Sequence, residues 1–439
     1  MALFIHQSSI IVCMGDGHVL PLSDIDNHKA IMTQSKKSYY ILLAFQHILA
    51  MFGATVLVPA LTGLDPSIAL LCAGVGTLIF HSVTKFKVPS FLGSSFAFIG
   101  GIQLVLEKMG MAELKGGIIC AGLVYILISL FIRLWGVEKI NKLFPPIVVG
   151  PVIVVIGLRL SPIAISNALY VDGVFSPNSL IISSIVIISM IISSVLGRSF
   201  FRLVPILTSV IVGYIVSSLL GVLNTDAIAS APWFTFSNDT IMSTITSVPH
   251  FSWNAILALA PIALVVFMEH IGDIKSNGAV VGKDFVKDPG LDRTILGDGL
   301  ATIFAGLVGG PANTTYGENT GVLAVTKNYN PFVLRIAAVM AILLSLFGKF
   351  GAAISNIPLA VMGGVSVVLF GMIATIGVRT MINAQLDFGH SRNLIIASII
   401  LVCGIGVSEI PFSETISMSG LTIAAFLGII LNLVLPKDI

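Results

Sequence analysis

Apolar runs of roughly twenty residues recur along the chain, separated by short polar breaks. They fall near 39–60, 67–84, 89–106, 115–134, 145–165, 179–197 and 203–223. After a polar stretch they resume near 254–274, 294–310, 312–327, 331–350, 357–378, 392–408 and 416–435. Each is about long enough to carry a helix across a ~30 Å hydrocarbon core. The pattern predicts an all-α polytopic membrane protein of 14 transmembrane segments, seven in each half. Two runs, 89–106 and 312–327, are too interrupted by Pro, Gly and hydroxyl residues to be ordinary helices.

Composition agrees. Hydrophobic residues fill 56% of the 439 positions and charged residues 10%, against roughly 25% charged in soluble domains. A water-soluble fold has too little interior to hide that much apolar surface. Counting from a cytoplasmic N-terminus, Lys108, Lys115, Arg159 and Lys349 fall at outer ends. Every other Lys and Arg from residue 36 onward falls at an inner end. Basic residues favour the cytoplasmic side, so both termini are expected there, in a multi-pass protein of the cell membrane. Leu203 to Ile274 holds no Lys or Arg, as suits an exterior loop and its flanking helices.

Residues 1–37 lack the pattern of a secretory leader and are expected to form a loosely ordered cytoplasmic extension. The net charge of +2 comes without a basic polar face, which argues against nucleic acid as a partner. Cys13, Cys72, Cys120 and Cys403 are scattered with no metal-type or redox-type spacing, so neither a metal nor a cofactor is expected.

The two halves resemble each other at three places, in order. Gln46-His47-Ile48 matches Glu269-His270-Ile271, and Ser94-Ser95-Phe96-Ala97-Phe98 matches Thr314-Thr315-Tyr316-Gly317-Glu318. Pro145, Gly150, Val152, Val154 and Val155 match Pro358, Gly363, Val365, Val367 and Val368. Seven segments is an odd number, so the second repeat must run inverted relative to the first, with the substrate site near the midplane where the repeats meet. The interrupted segments suit that site. Each reads as a short extended strand running into a half-helix, and the two strands are expected to pair antiparallel. The half-helix N-termini, with their orphan N–H groups and positive dipole ends, then face a cavity.

Four acids lie inside apolar runs of the second half: Glu269, Asp273, Asp298 and Glu318. Such residues are costly in a membrane and mark function. Glu269 and Asp273 are four apart and share one helix face, with His270 turned away. Neighbouring carboxylates in a low-dielectric pocket cannot all ionise together, which suits a proton-coupling group of Glu269, Asp273 and Glu318, with His47 and Asp298 as further candidates. Asp298 also reads as a helix N-cap or packing partner, and His47 as a structural hydrogen-bonding residue. Carboxylates beside helix N-termini suit a flat, amide-like ligand with both N–H donors and carbonyl oxygens.

At these residues the chain resembles the nucleobase–ascorbate transporter family, and within it the bacterial uracil permeases, from about Tyr39 to the C-terminus. Glu318-Asn319-Thr320-Gly321, closed by Thr326-Lys327, meets the family signature, and Gln46-His47 meets its Gln-His pair. Leu92 to Phe98 and Asn313 to Asn319 look like uracil-permease segments nearly letter for letter. The resemblance implies a core domain of 38–137 and 254–350, a gate domain of 138–225 and 351–439, and an extracellular loop at 226–253. It implies proton-coupled import of uracil in a bacterial plasma membrane, and it allows a homodimer through the gate domain. It further implies that Glu269 and Glu318 bind the ring N–H edge, with the backbone N–H groups of Phe96 and Gly317 near the carbonyls and Tyr316 against the ring. One departure matters. Where the uracil-permease pattern has Glu-His-x-Gly-His, this chain has Glu269-His270-Ile271-Gly272-Asp273. An acid there, with Asp298, is similar to purine-transporting relatives and makes xanthine or another oxopurine the alternative. Glu318 points back to uracil, because purine members usually place Gln there.

Three other classes fit less well. No metal-ligand motif or nucleophile–base spacing supports an enzyme. Interrupted helices with central carboxylates disfavour a channel. An anion transporter would need a basic residue deep in the second half, and none is there.

Overall fold

The computed structural model describes residues 2–6, 9–13, 22–197, 201, 204–223, 226–407, 409–411 and 417–436. Within these ranges side chains are described from Tyr39 onward, except at 140, 141, 227, 409, 411 and 417. Strand β1 (Ala2–His6) pairs antiparallel with β2 (Ser9–Cys13), and helix α1 begins at Leu22 and runs to Thr62. Regular backbone therefore occupies much of the stretch expected to be a loosely ordered extension.

Local sequence explains most of the remaining boundaries. α2 (Pro66–Val83) is capped by Asp65, whose Oδ1 accepts from the N–H groups of Ser67 at 2.7 Å and Ile68 at 3.2 Å. Strand β3 (Leu92–Ser94) leads through a 3₁₀ turn at Phe96–Phe98 into the half-helix α3 (Ile99–Lys108). α4 (Met111–Trp135), α5 (Pro146–Arg159), α6 (Pro177–Ile191) and α7 (Pro205–Leu219) complete the first half. Between α5 and α6 a small hairpin pairs β4 (Tyr170–Val171) with β5 (Val174–Phe175).

The second half holds α8 (Ile262–Val281), α9 (Leu291–Val308), strand β6 (Asn313–Thr315) and the half-helix α10 (Gly317–Thr326). It ends with α11 (Pro331–Ser345), α12 (Leu359–Asn383), α13 (Ser391–Gly406) and α14 (Gly420–Val434). α2, α5, α6, α7 and α11 all start on a proline. Its missing N–H is no loss in a first turn, and its fixed φ suits the helix.

Among the described residues, seven helices are by length and composition able to cross a membrane: Tyr39–Thr62, α2, α4, Pro146–Leu169, Pro177–Leu196, Trp253–Val281 and α12. α7, α11, α13 and α14 are apolar but 15 or 16 residues long, roughly 22–24 Å at the helical rise. The other expected segments are α9 and the two strand-plus-half-helix pieces. Helix length and hydropathy thus single out seven spans and do not by themselves establish the fourteen expected.

α9 packs on α4 and α2, and α11 on α2 and α1, while α12 packs on α5 and α6, and α13 on α14 and α5. Small residues permit the closest crossings: a Cβ on Gly122 of α4 would lie 2.8 Å from the carbonyl of Gly299 in α9. The polar stretch before α8 is tied to the bundle at both ends. Thr235 N–H donates to Leu346 O at 2.9 Å, and His250 N–H to Ala112 O at 2.8 Å. Between these ties Lys115, fully buried, donates to the carbonyls of Thr244 at 3.0 Å, Ile245 at 3.2 Å and Ser247. It closes the C-terminus of the short helix Asp239–Thr246.

Candidate substrate site

The two strands meet as expected. β3 and β6 pair antiparallel in the register Leu92↔Thr315, Gly93↔Thr314 and Ser94↔Asn313. Bonds from Ser95 N–H to Ala312 O and from Tyr316 N–H to Phe91 O, both 2.9 Å, extend the ladder. A two-stranded sheet has two outer edges, and at membrane depth no water is there to satisfy them. On each edge, one threonine of the preceding helix serves the backbone of one residue. Leu92 N–H donates to Thr77 Oγ1 at 2.9 Å, while the hydroxyl donates to Ala73 O at 2.7 Å. Asn313 N–H donates to Thr302 Oγ1 at 3.2 Å, and that hydroxyl returns to Asn313 O at 3.2 Å. The Asn313 side chain adds a bond to Cys72 O at 3.0 Å.

The half-helices start directly from this sheet, and no side chain caps the N-terminus of α10. Gly317 is exposed and Glu318 half-buried at that end. On α8, Glu269 and Asp273 are likewise half-buried and share a face. Asp273 reaches the α10 end: its Oδ2 accepts from Thr315 Oγ1 at 3.2 Å, and its Oδ1 would lie 3.6 Å from a Cβ on Gly317. Among the described residues none of the three acids has a Lys, Arg or His nitrogen within 4.0 Å. The arrangement thus joins carboxylate acceptors to helix-terminal donors in one partly open space.

The other candidates are placed differently. His47 is buried, with Nδ1 3.1 Å from Asn319 Nδ2, and the same amide donates to His47 O at 3.1 Å. It therefore links α1 to α10. Asp298 lies inside α9, well past the helix start at Leu291, so the N-cap reading does not hold. It is fully buried, and its Oδ2 is 2.9 Å from His270 Nδ1, while His270 Nε2 meets Thr294 Oγ1 at 2.9 Å. Phe96 is buried and meets Phe370 of α12 edge-on, with ring centroids 6.0 Å apart. Tyr316 is 3% exposed, and its hydroxyl donates to Ser94 O at 2.9 Å.

Residues that hold this site together but drew no attention in the sequence include Thr77, Thr302 and Asn277. Thr77 lies within an apolar stretch of α2, but Thr302 and Asn277 share their helices with several other polar residues, so nothing local in the sequence singles them out. Cys72, Cys120 and Cys403 are free thiols.

Short antiparallel strands that each feed a half-helix, set among apolar helices able to span a bilayer, define an integral membrane protein of the transporter type. Residues 39–412 match the model of the xanthine/uracil permease family, described as a permease family, and the chain belongs to it. It is 43% identical over 417 residues to the uracil permease of Bacillus caldolyticus, covering 95% of each chain. It is 44% identical over 404 residues to the uracil permease of Bacillus subtilis (91% and 93% covered) and 41% over 395 residues to that of Escherichia coli K12 (89% and 90%). Among solved structures, the murine Slc26a9 anion transporter in its inward-facing state superposes with a TM-score of 0.65 at 9% identity, covering 90% of this chain and 67% of that one. The transmembrane domain of the cyanobacterial bicarbonate transporter BicA gives 0.57 at 14% identity, covering 90% and 96%. These two share the fold with this chain.

Proposed function

We propose that this permease imports uracil by proton symport. The observation that carries the reading is the group of half-buried carboxylates on α8 and α10, without basic partners among the described residues, beside the uncapped N-terminus of α10. Glu269 and Glu318 accept the ring N–H groups, and the backbone N–H groups of Phe96 and Gly317 face the carbonyl oxygens. Relatives that are 41–44% identical over most of their length are uracil permeases. Asp273 favours a second reading, xanthine or another oxopurine, because a third acid at the site can accept a further N–H.

Uracil is neutral, so the membrane potential alone cannot concentrate it. One co-transported proton supplies about 2.3 kcal/mol per 100 mV, roughly fifty-fold accumulation. In this reading a proton on the Glu269, Asp273 and Glu318 group completes the site. The core helices α1–α4 and α8–α11 then move against the gate helices α5–α7 and α12–α14. Their preferential packing within each group supports that division. An inverted repeat with both termini in the cytoplasm is supported by the basic-residue asymmetry and by the matching roles of Thr77 and Thr302.

The test is labelled-uracil uptake into proteoliposomes under an inward proton gradient, with excess unlabelled xanthine as competitor. Accumulation that collapses with a protonophore and ignores xanthine supports the reading. Strong xanthine competition assigns the site to oxopurines, and accumulation indifferent to the protonophore rules out symport.

A further inference from the structure

Asn277 lies on α8 one turn beyond Asp273 and two turns beyond Glu269, and it is 1% exposed. Its Nδ2 donates to Pro89 O at 2.9 Å and to Thr320 Oγ1 at 3.3 Å. Pro89 stands three residues before β3, in the segment that leads on to Phe96. Thr320 stands two residues past Glu318 in α10. One side-chain amide therefore touches the three elements that carry the site. Among the described residues no backbone N–H reaches Pro89 O, so Asn277 is its donor.

We propose that Asn277 is a positioning residue of the substrate site, a buried crosslink that sets the α8 carboxylates against Glu318 and the β3 segment. The inference rests on the placement of the substrate between α8 and α10 made above. The physical need is specific to a membrane. Apolar helix faces are nearly interchangeable there, since lipid is as apolar as leucine, so sliding or rotating α8 carries little hydrophobic penalty. Directional hydrogen bonds fix what apolar packing leaves loose. Two acceptors on different elements, served by one planar amide, define both the rotation of α8 and its height relative to α10.

The experiment uses the full-length protein in proteoliposomes, with initial rates of labelled-uracil uptake per folded transporter. The variants are Asn277→Ala, Thr320→Val and the double substitution. Thermal unfolding of each in detergent is measured alongside. Losing the crosslink is expected to raise KM about five- to tenfold in Asn277→Ala and less in Thr320→Val. The double variant is expected to be no worse than Asn277→Ala, because the bond to Thr320 is already gone. An unchanged KM in folded Asn277→Ala, with only the unfolding midpoint lowered, overturns the proposal, as do effects that multiply in the double variant. If Asn277→Ala does not fold, an unchanged KM in Thr320→Val overturns it alone. If the natural chain carries xanthine and not uracil, the substrate reading fails and the same variants are read with xanthine.

Discussion

The hydroxyl of Tyr316 donates to the carbonyl of Ser94 at 2.9 Å, so the residue that opens one half-helix is bonded to the strand that leads to the other. The two are 222 residues apart in sequence. Their contact depends on a missing side chain: a Cβ on Gly93 would lie 2.4 Å from the Tyr316 ring. Tyr316→Phe is expected to leave Ser94 O without this donor and to cost about 1–3 kcal/mol. Gly93→Ala should cost more and abolish uptake, because ring and strand cannot both keep their places. Thermal unfolding of the purified protein in detergent ranks the two.

The threonines at the sheet edges give a second expectation. Thr77→Val and Thr302→Val each strand a buried backbone N–H, of Leu92 or Asn313, and should each destabilise by about 1–3 kcal/mol. Serine at either position keeps the hydroxyl and should recover most of the loss. Equal stability of the valine and serine forms would show that these edges find another partner.

His270 and Asp298 form a fully buried pair at 2.9 Å. Removing one member leaves the other uncompensated, at a cost of about 3–5 kcal/mol, whereas replacing both with apolar residues costs far less. The folded yield of His270→Leu and of Asp298→Leu is therefore expected to fall below that of the double variant. A double variant worse than either single one would contradict this.

Glu318→Gln and Glu269→Gln are expected to reduce proton-driven uracil accumulation at least about tenfold, the equivalent of ~1.4 kcal/mol. Exchange of internal for external uracil at equal pH should be less affected wherever binding survives. Accumulation retained by either variant would remove that carboxylate from the coupling group.

Lys115→Met leaves the carbonyls of Thr244, Ile245 and Ser247 without their shared donor. Limited proteolysis of the purified protein in detergent should then cut within 239–253 faster than in the natural chain. Unchanged cleavage would mean that the Thr235–Leu346 and His250–Ala112 bonds hold this segment without Lys115.

Much of the architecture was legible in one dimension. A membrane span is a local property of twenty residues, so the apolar runs, the interrupted segments at 89–106 and 312–327, and the shared face of Glu269 and Asp273 could all be read directly. The antiparallel strand pair could be reasoned out as well, since backbone at membrane depth must be satisfied internally. The varied lengths were not legible: hydropathy does not register that α7, α11, α13 and α14 stop at 15 or 16 residues.

What only the tertiary structure decided is which polar groups meet. Asp298 reads in sequence as a cap, a packing partner or a coupling residue, and only the fold shows that it faces His270. Tyr316, Thr77, Thr302 and Asn277 owe their partners to contacts across the chain or between elements. A hydrogen bond depends on distance and angle between groups whose sequence separation carries no record of either. Apolar periodicity therefore determines that these helices cross a membrane, and the folded arrangement alone determines which of their few polar side chains face one another.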